Sequence, residues 1–282
     1  MKVKAYGKIN LTLDVTGRRE DGYHLLDTVM QSVSLWDEVE ITPSTDPGVR
    51  LRSNKKYLPT DTKNTAYRAA ALFLRHCGLE KTGVEISLKK RIPSRAGMGG
   101  GSADAAAVLR GLNDLFEAEL GVPKLMELGA EIGADVPFCV HGGTCRCRGT
   151  GEQVEPIFPM PDCFLVLCKP PAGISTPRAY ALLDQHPVSR TQATEKMVRA
   201  LEAGDLRQIG KSLSNRFEEA MKLMQVGAVE KTMLSAGALG AMMTGSGSAV
   251  YGIFEGEAAA RNCMELLESH GEVFLARPCA GV

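Results

Sequence analysis

Four glycines fall within five positions at Gly97, Gly99, Gly100 and Gly101, and Ser102 follows them directly. Upstream, Val84, Ile86 and Leu88 alternate as in a strand; downstream, Ala103, Ala105, Ala106, Ala107, Val108, Leu109 and Leu112 read as a buried helix. A glycine-rich turn can simply connect the two. It can also bring backbone amides close to a ligand, and the unfilled N–H groups and dipole at a helix start favour an anion there. A plain connection rarely needs four glycines, so the composition favours a phosphate-cradling loop. It is not a Walker loop, because no Gly-Lys-Ser/Thr follows, and a dinucleotide fingerprint fails because Ser102 stands where its third glycine would be. What remains is Pro-x3-Gly-x-Gly-Gly-Gly-Ser, beginning at Pro93.

Other residues with chemical capacity are scattered. Near the start, Ile9, Leu11, Leu13 and Val15 share one face of an alternating segment, and Lys8, Asn10, Thr12 and Asp14 share the other. Read alone, Lys8 fits a solvated strand face. Tyr23 and His24 follow a turn at Asp21-Gly22 and read locally as packing and surface. Asp135 precedes Val136-Pro137, which biases it toward an extended backbone or a helix cap. A second glycine turn, Gly245-Ser246-Gly247-Ser248, lies between two apolar strand-like runs.

The elements that must position these residues follow from periodicity and punctuation. Strands are expected at 9–15, 35–41, 84–88, 164–167, either side of the second glycine turn, and at 273–276. Helices are expected at 64–77, from Ala103, at 123–133, shortly after Thr176 as N-cap, and near 190–202, 205–224, 226–236 and 258–269. Pro-rich punctuation at 155–161 suggests a boundary, giving domains of 1–158 and 159–282. The second has the order strand, helices, paired strands, helix, strand, which suits a ferredoxin-like α+β domain. Lys plus Arg and Asp plus Glu both total 33 in 282 residues, a balance that argues against a nucleic-acid binder or a polybasic membrane-surface protein. The 8 cysteines lack CxxC spacing and no run reaches transmembrane length, so a reducing cytoplasm is expected.

Lys8-Ile9-Asn10, the Pro93–Asp104 loop and the segment from Thr244 to Phe254 occur in the order of the three motifs of the GHMP kinases, which this chain resembles. GKINLTLDVTGRREDGYH, PSRAGMGGGSADAA, GADVPF and MTGSGSAVYGIF are further similar to the branch that acts on diphosphocytidyl-methylerythritol in the non-mevalonate route to isoprenoids. The resemblance covers nearly the whole chain; Met98 stands where leucine is usual. It implies a two-domain α+β fold with the active site in the interdomain cleft, and transfer of the ATP γ-phosphate to the substrate 2-hydroxyl with Mg²⁺. Asp135 is then the base and Lys8 its neighbour on the phosphoryl oxygens. The Gly97, Met98, Gly99, Gly100 and Gly101 amides, with Ser102 and Ala103, surround the ATP phosphates, and Ser102 donates a hydroxyl bond or meets the metal shell. Asn64, Pro93, Ser94, Arg95 and Ala96 form the nucleotide-side wall, while Gly245, Ser246 and Gly247 close over the site. Tyr23, His24 and Tyr180 hold the cytosine, with Asn10 and Thr176 on the methylerythritol or diphosphate. Asp104 is the candidate carboxylate for magnesium, and Met30 stands where a second aromatic is expected. His76, His141, His186 and His270 are structural or surface residues. Two rival readings are another GHMP kinase, of mevalonate or homoserine type, and a non-catalytic nucleotide or sugar sensor.

Overall fold

The structure, a computed structural model, describes residues 1–171, 173, 175–185 and 192–281. The alternation near the start extends into a long strand, β1 (Lys2–Arg18), which turns at Asp21-Gly22 into β2 (His24–Ser44), its antiparallel partner. β3 (Gly48–Ser53), α1 (Thr65–His76) and β4 (Gly83–Lys89) follow. The glycine loop then leads into α2 (Gly100–Leu115), α3 (Val122–Ile132) and the short α4 (Val136–His141). β5 (Thr144–Gly149) and β6 (Gln153–Pro156) complete this half. Most of α2 is buried, with the small residues Ala103, Ala105, Ala106 and Ala107 in its first turns. That lets it lie close against β1 and β2 while α1, α3 and α4 pack around it.

The second half begins with β7 (Phe164–Lys169), α5 (Thr176–Leu183), α6 (Ala193–Glu202) and α7 (Leu206–Lys211). β8 (Ser214–Asn215), α8 (Arg216–Met221), α9 (Met224–Ser235), β9 (Gly240–Met243), β10 (Val250–Phe254), α10 (Glu257–Leu267) and β11 (Glu272–Ala276) close it. The sheet order β11-β7-β10-β9, antiparallel throughout, is the ferredoxin-like arrangement expected from the sequence. α9 and α10 pack against it, and Val229, Met233, Cys263 and Leu267 fill that core.

The first sheet runs β3-β4-β2-β1-β8, with β5 joined to β2 and β6 to β5. Its last strand comes from the second half of the chain: β8 pairs in parallel with Thr12 and Leu13 of β1. Several expectations are corrected here. A single helix over 205–224 is broken into α7, β8 and α8, because Asp205 and Asn215 each cap a new short helix through their side chains. Ser175, not Thr176, is the N-cap of α5, and Thr176 is its first helical residue. The polar face of β1 is not solvated: Lys8, Asn10, Thr12 and Asp14 are all buried, because α6, α8 and the β9–β10 turn cover that face. Among the described residues no helix is long and apolar enough to cross a membrane.

Candidate active site

The glycine loop turns through left-handed backbone at Arg95 (φ 52°), Gly97 (φ 75°) and Gly99 (φ 67°). At Gly97 only a hydrogen fits, and at Gly99 a side chain would be both strained and tight. A Cβ on Gly97 would sit 2.0 Å from the Thr244 carbonyl oxygen, and one on Gly99 would lie 3.1 Å from Cγ of Lys8. Gly99 is the N-cap of α2 and, among the described residues, no side chain caps the first amides of that helix. Gly100 and Gly101 thus belong to the helix's first turn rather than to the loop. Uncapped amides at a helix start, aligned with the dipole, form an anion site. Ser102, half-buried in the same turn, adds a hydroxyl.

Lys8 lies directly against this loop. Its backbone N–H donates to the Met98 carbonyl (3.0 Å) and its Nζ to Asn10 Oδ1 (2.7 Å), and Nζ stands 3.5 Å from Asp135 Oδ2. The lysine side chain is 5% exposed, the aspartate side chain 32%. Of the two expectations for Asp135, an extended backbone or a helix cap, the structure takes the second: it occupies the N-cap position of α4, with helical backbone (φ −83°, ψ −9°). It makes no side-chain capping bond, so its carboxylate turns toward Lys8 and the cleft. An ammonium and a carboxylate at the edge of an anion site can neutralise a phosphoryl group and orient a hydroxyl.

Asn10 carries the link to the second sheet. Its Nδ2 donates to Thr28 Oγ1 (2.8 Å), its N–H to Thr244 Oγ1 (3.0 Å), and its carbonyl accepts from the buried Tyr251 hydroxyl (2.8 Å). The Ala249 N–H donates to the Ala96 carbonyl (3.1 Å). The β9–β10 turn therefore sits on the glycine loop and forms the far wall of the cleft. Ser246 of that turn meets Thr176 across it, with their hydroxyl oxygens 3.0 Å apart.

Asp104 does not face the anion site. It is buried with Asp37 around one lysine: Lys90 Nζ donates to Asp104 Oδ2 (2.5 Å), to Asp37 and to the Gly100 carbonyl (3.2 Å). Burial pulls Lys90 down, yet the two carboxylates outweigh it and hold the ammonium above its ordinary pKa. Burial likewise pushes Asp104 up, to about 7, against the lysine's pull. The expectation of a magnesium carboxylate at Asp104 is thus overturned, since its turn of α2 faces the core. Among the described residues no three His, Cys, Asp or Glu side chains stand together as a metal cage.

Asn64 is also turned inward: its Oδ1 caps α1 at the Ala66 N–H (2.9 Å) and its Nδ2 donates to the Pro59 carbonyl (2.8 Å). The next residue reaches the loop instead, Thr65 Oγ1 donating to the Gly101 carbonyl (2.6 Å). Pro93 and Ala96 are buried beneath the loop, Arg95 is exposed, and the Ser94 hydroxyl lies 2.9 Å from that of Tyr57.

An aromatic group is built where β2 meets α5 and α8. The His24 ring stacks on Tyr180 (4.4 Å between centroids, 18° between planes), and Tyr180 meets Phe217 edge-on at 4.8 Å. His24 Nε2 lies 2.6 Å from Asp184 Oδ1, so its ring edge already has a partner. Tyr23 is 65% exposed and Met30 is buried in the first core, so neither walls this group. His141 is structural, its Nδ1 2.9 Å from the Gly142 carbonyl oxygen; His76 and His270 lie on the periphery, and His186 lies outside the described residues. Thr244, Thr28, Tyr251, Lys90 and Asp37 were not legible as site residues. Thr244 and Tyr251 could have been sought within the glycine segment, but nothing local marks Asp37 or Lys90.

A two-sheet α+β chain whose glycine loop, buried lysine and second glycine turn converge on one cleft is built as a small-molecule kinase of the GHMP class. Consistent with this, the GHMP kinases N terminal domain model matches residues 64–143 and the GHMP kinases C terminal model residues 197–273. The chain is 41% identical to the 4-diphosphocytidyl-2-C-methyl-D-erythritol kinase of Clostridium tetani, covering 98% of this chain and 99% of that one. It is 43% identical to the enzyme of that name from Caldicellulosiruptor bescii, over 100% and 99%. A crystal structure of 4-(cytidine 5'-diphospho)-2C-methyl-D-erythritol kinase superposes with a TM-score of 0.84 at 35% identity, covering 98% of each chain. Homoserine kinase from Cytophaga hutchinsonii shares the fold alone (TM-score 0.77, 22% identity, 98% of this chain and 94% of that one). The chain belongs to the GHMP kinases, within the 4-diphosphocytidyl-2-C-methyl-D-erythritol kinase family.

Proposed function

We propose that the protein transfers the γ-phosphate of ATP to the 2-hydroxyl of 4-diphosphocytidyl-2-C-methyl-D-erythritol. The observation that carries this reading is the Lys8–Asp135 pair, 3.5 Å apart at the mouth of an uncapped helix start; the full-length relatives supply the acceptor's identity. Phosphoryl transfer asks a protein mainly for positioning and charge neutralisation. The amides of Gly99 to Ser102 receive the phosphates, Ser102 meets the metal shell, and Mg²⁺ when bound neutralises phosphate charge. Lys8, fixed by Asn10 and by its own N–H on Met98, faces the phosphoryl oxygens. Asp135 orients the acceptor hydroxyl and takes its proton as the bond to phosphorus forms and ADP leaves. A weak base suffices, because in a loose transition state the alcohol proton departs late.

The His24–Tyr180 stack lies at the cytidine end; the base takes a place against this pair, and Asp184 yields His24 to it. Asn10 and Thr176 contact the middle of the acceptor, Asn10 through the amide now bonded to Thr28. Residues 1–158 form the ATP-side domain and 159–282 the second. The balanced charge supports small-molecule partners and no nucleic acid, and the 8 cysteines, all free, suit the cytoplasm. ADP release with Mg-ATP tests the reading across four acceptors: the cytidylated compound, free methylerythritol 4-phosphate, mevalonate and homoserine. Turnover with the first alone is expected. Turnover with mevalonate or homoserine instead would refute the acceptor, and ATP binding without any turnover would favour a sensor.

A further inference from the structure

One buried side chain at the junction of the two sheets has every hydrogen-bonding position directed to backbone. Asn215 belongs to β8, which pairs with β1 two residues beyond Asn10. Its Oδ1 accepts from the Phe217 N–H (3.0 Å), capping α8. Its Nδ2 donates to the Met243 carbonyl (2.8 Å) and to the Gly245 carbonyl (2.9 Å). One turn along α8, Glu218 Oε2 accepts from the Met243 N–H (2.7 Å). The backbone of Met243 is thus held at both its N–H and its carbonyl, and Gly245 at its carbonyl.

What these bonds hold is the wall of the cleft. Between the held residues, Thr244 presents its hydroxyl to the Asn10 N–H and its carbonyl to the loop at Gly97. Gly245 is left-handed (φ 56°), and a Cβ there would lie 2.9 Å from the Gly97 carbonyl oxygen. On the loop side the turn is tied by the Ala249 N–H on the Ala96 carbonyl (3.1 Å) and by the Thr244 hydroxyl at Asn10. On its other side Asn215 with Glu218 holds the backbone on both flanks of Thr244.

We propose that Asn215 is a positioning residue for the nucleotide site: its carboxamide, assisted by Glu218, fixes Met243–Gly245 against Gly97 and so sets the width of the phosphate pocket. The inference rests on the reading of that pocket as the ATP phosphate site. Small displacements of groups that orient a reactant can cost up to about 100-fold in rate, so the effect should be measurable although Asn215 touches no ligand.

Asn215→Ser separates positioning from capping. Serine is a good N-cap, so α8 keeps its start, while the two carbonyls lose their donor. Glu218→Gln is the conservative control, because its amide oxygen still accepts from the Met243 N–H. Expected for Asn215→Ser is a cooperative melt, KM for ATP raised by about tenfold or more, and kcat at saturating ATP within about threefold. Glu218→Gln should leave both constants within about twofold of the parent. A purely structural role would lower kcat through a smaller folded fraction and leave KM for ATP where it was; that result overturns the proposal. If Asn215→Ser does not fold, Glu218→Ala removes one of the three backbone bonds and must itself raise KM for ATP, and unchanged constants there also overturn it. Failure of the parent protein to bind ATP would instead remove the reading beneath.

Discussion

Gly97 and Thr244, 147 positions apart in the chain, meet backbone to backbone: a Cβ on Gly97 would overlap the Thr244 carbonyl oxygen at 2.0 Å, and the Thr244 hydroxyl lies 3.4 Å from the Gly97 carbonyl oxygen. The site is the seam between two sheets. Neither glycine segment builds it alone.

Gly97→Ala should therefore fail twice. The left-handed φ of 75° disfavours alanine by about 1 kcal/mol, and its methyl forces the β9–β10 turn off the loop. We expect kcat/KM for ATP to fall by about 100-fold or more, with a lower melting temperature. Steady-state kinetics beside a thermal melt checks both. Activity near that of the parent would mean that the two segments can separate without loss.

Lys90→Met would leave Asp37 and Asp104 buried without their cation. Removing one partner of such a cluster typically destabilises by about 3–5 kcal/mol. Denaturant titration measures this, and a loss under 1 kcal/mol would show that water reaches the carboxylates. Because Lys90 also bonds the Gly100 carbonyl, any folded fraction should bind ATP more weakly.

Behind the third segment, Glu230 faces Glu218, and burial followed by that neighbour's charge pushes Glu230 up to about 8. Glu218 is raised as well, chiefly by burial, against the bond it accepts from the Met243 N–H; the adjacent Glu219 raises it further. Carboxyls raised above their unfolded value near 4.5 bind more protons in the native state. Their contribution to stability is present at low pH and is lost as the pH rises through about 8. Glu230→Gln should accordingly melt higher than the parent at pH 9 and show a smaller gain at pH 6. Parallel melting curves across that range would remove the pair as a source of pH dependence.

Tyr180→Ala removes the ring on which His24 stacks. Aromatic pairs are worth about 0.5–1.5 kcal/mol beyond burial, so KM for the cytidylated acceptor should rise roughly two- to tenfold while KM for ATP holds. Equal changes in the two constants would place Tyr180 in the scaffold rather than in acceptor binding.

Much of this was legible in local pattern. The glycine loop, the alternation of β1 and the ferredoxin-like order follow from periodicity and turn chemistry, which are local properties, whereas the convergence of three segments was implied by the resemblance to the GHMP kinases. The differences arose where distant segments decide. The polar face of β1 reads as solvated until α6, α8 and the β9–β10 turn are folded over it. Asp104 reads as a loop carboxylate until α2 is seen to begin at Gly100, which turns that position toward Lys90. Asp135 takes the N-cap position that was one of its two expected states, and Pro137 falls within the first turn of α4, where a missing N–H is tolerated. The break of 205–224 into two helices was marked by Asp205 and Asn215, both good caps in a stretch rich in helix formers.

In the proposed reaction Asp135, beside Lys8, acts on the acceptor hydroxyl and not on ATP. The direct test is Asp135→Ala, with ATP affinity measured by calorimetry and turnover per bound complex measured in a single-turnover reaction. ATP affinity is expected to stay within about threefold of the parent, with turnover lowered by about 100- to 10,000-fold. Lost ATP affinity with unchanged turnover per bound complex would contradict that role.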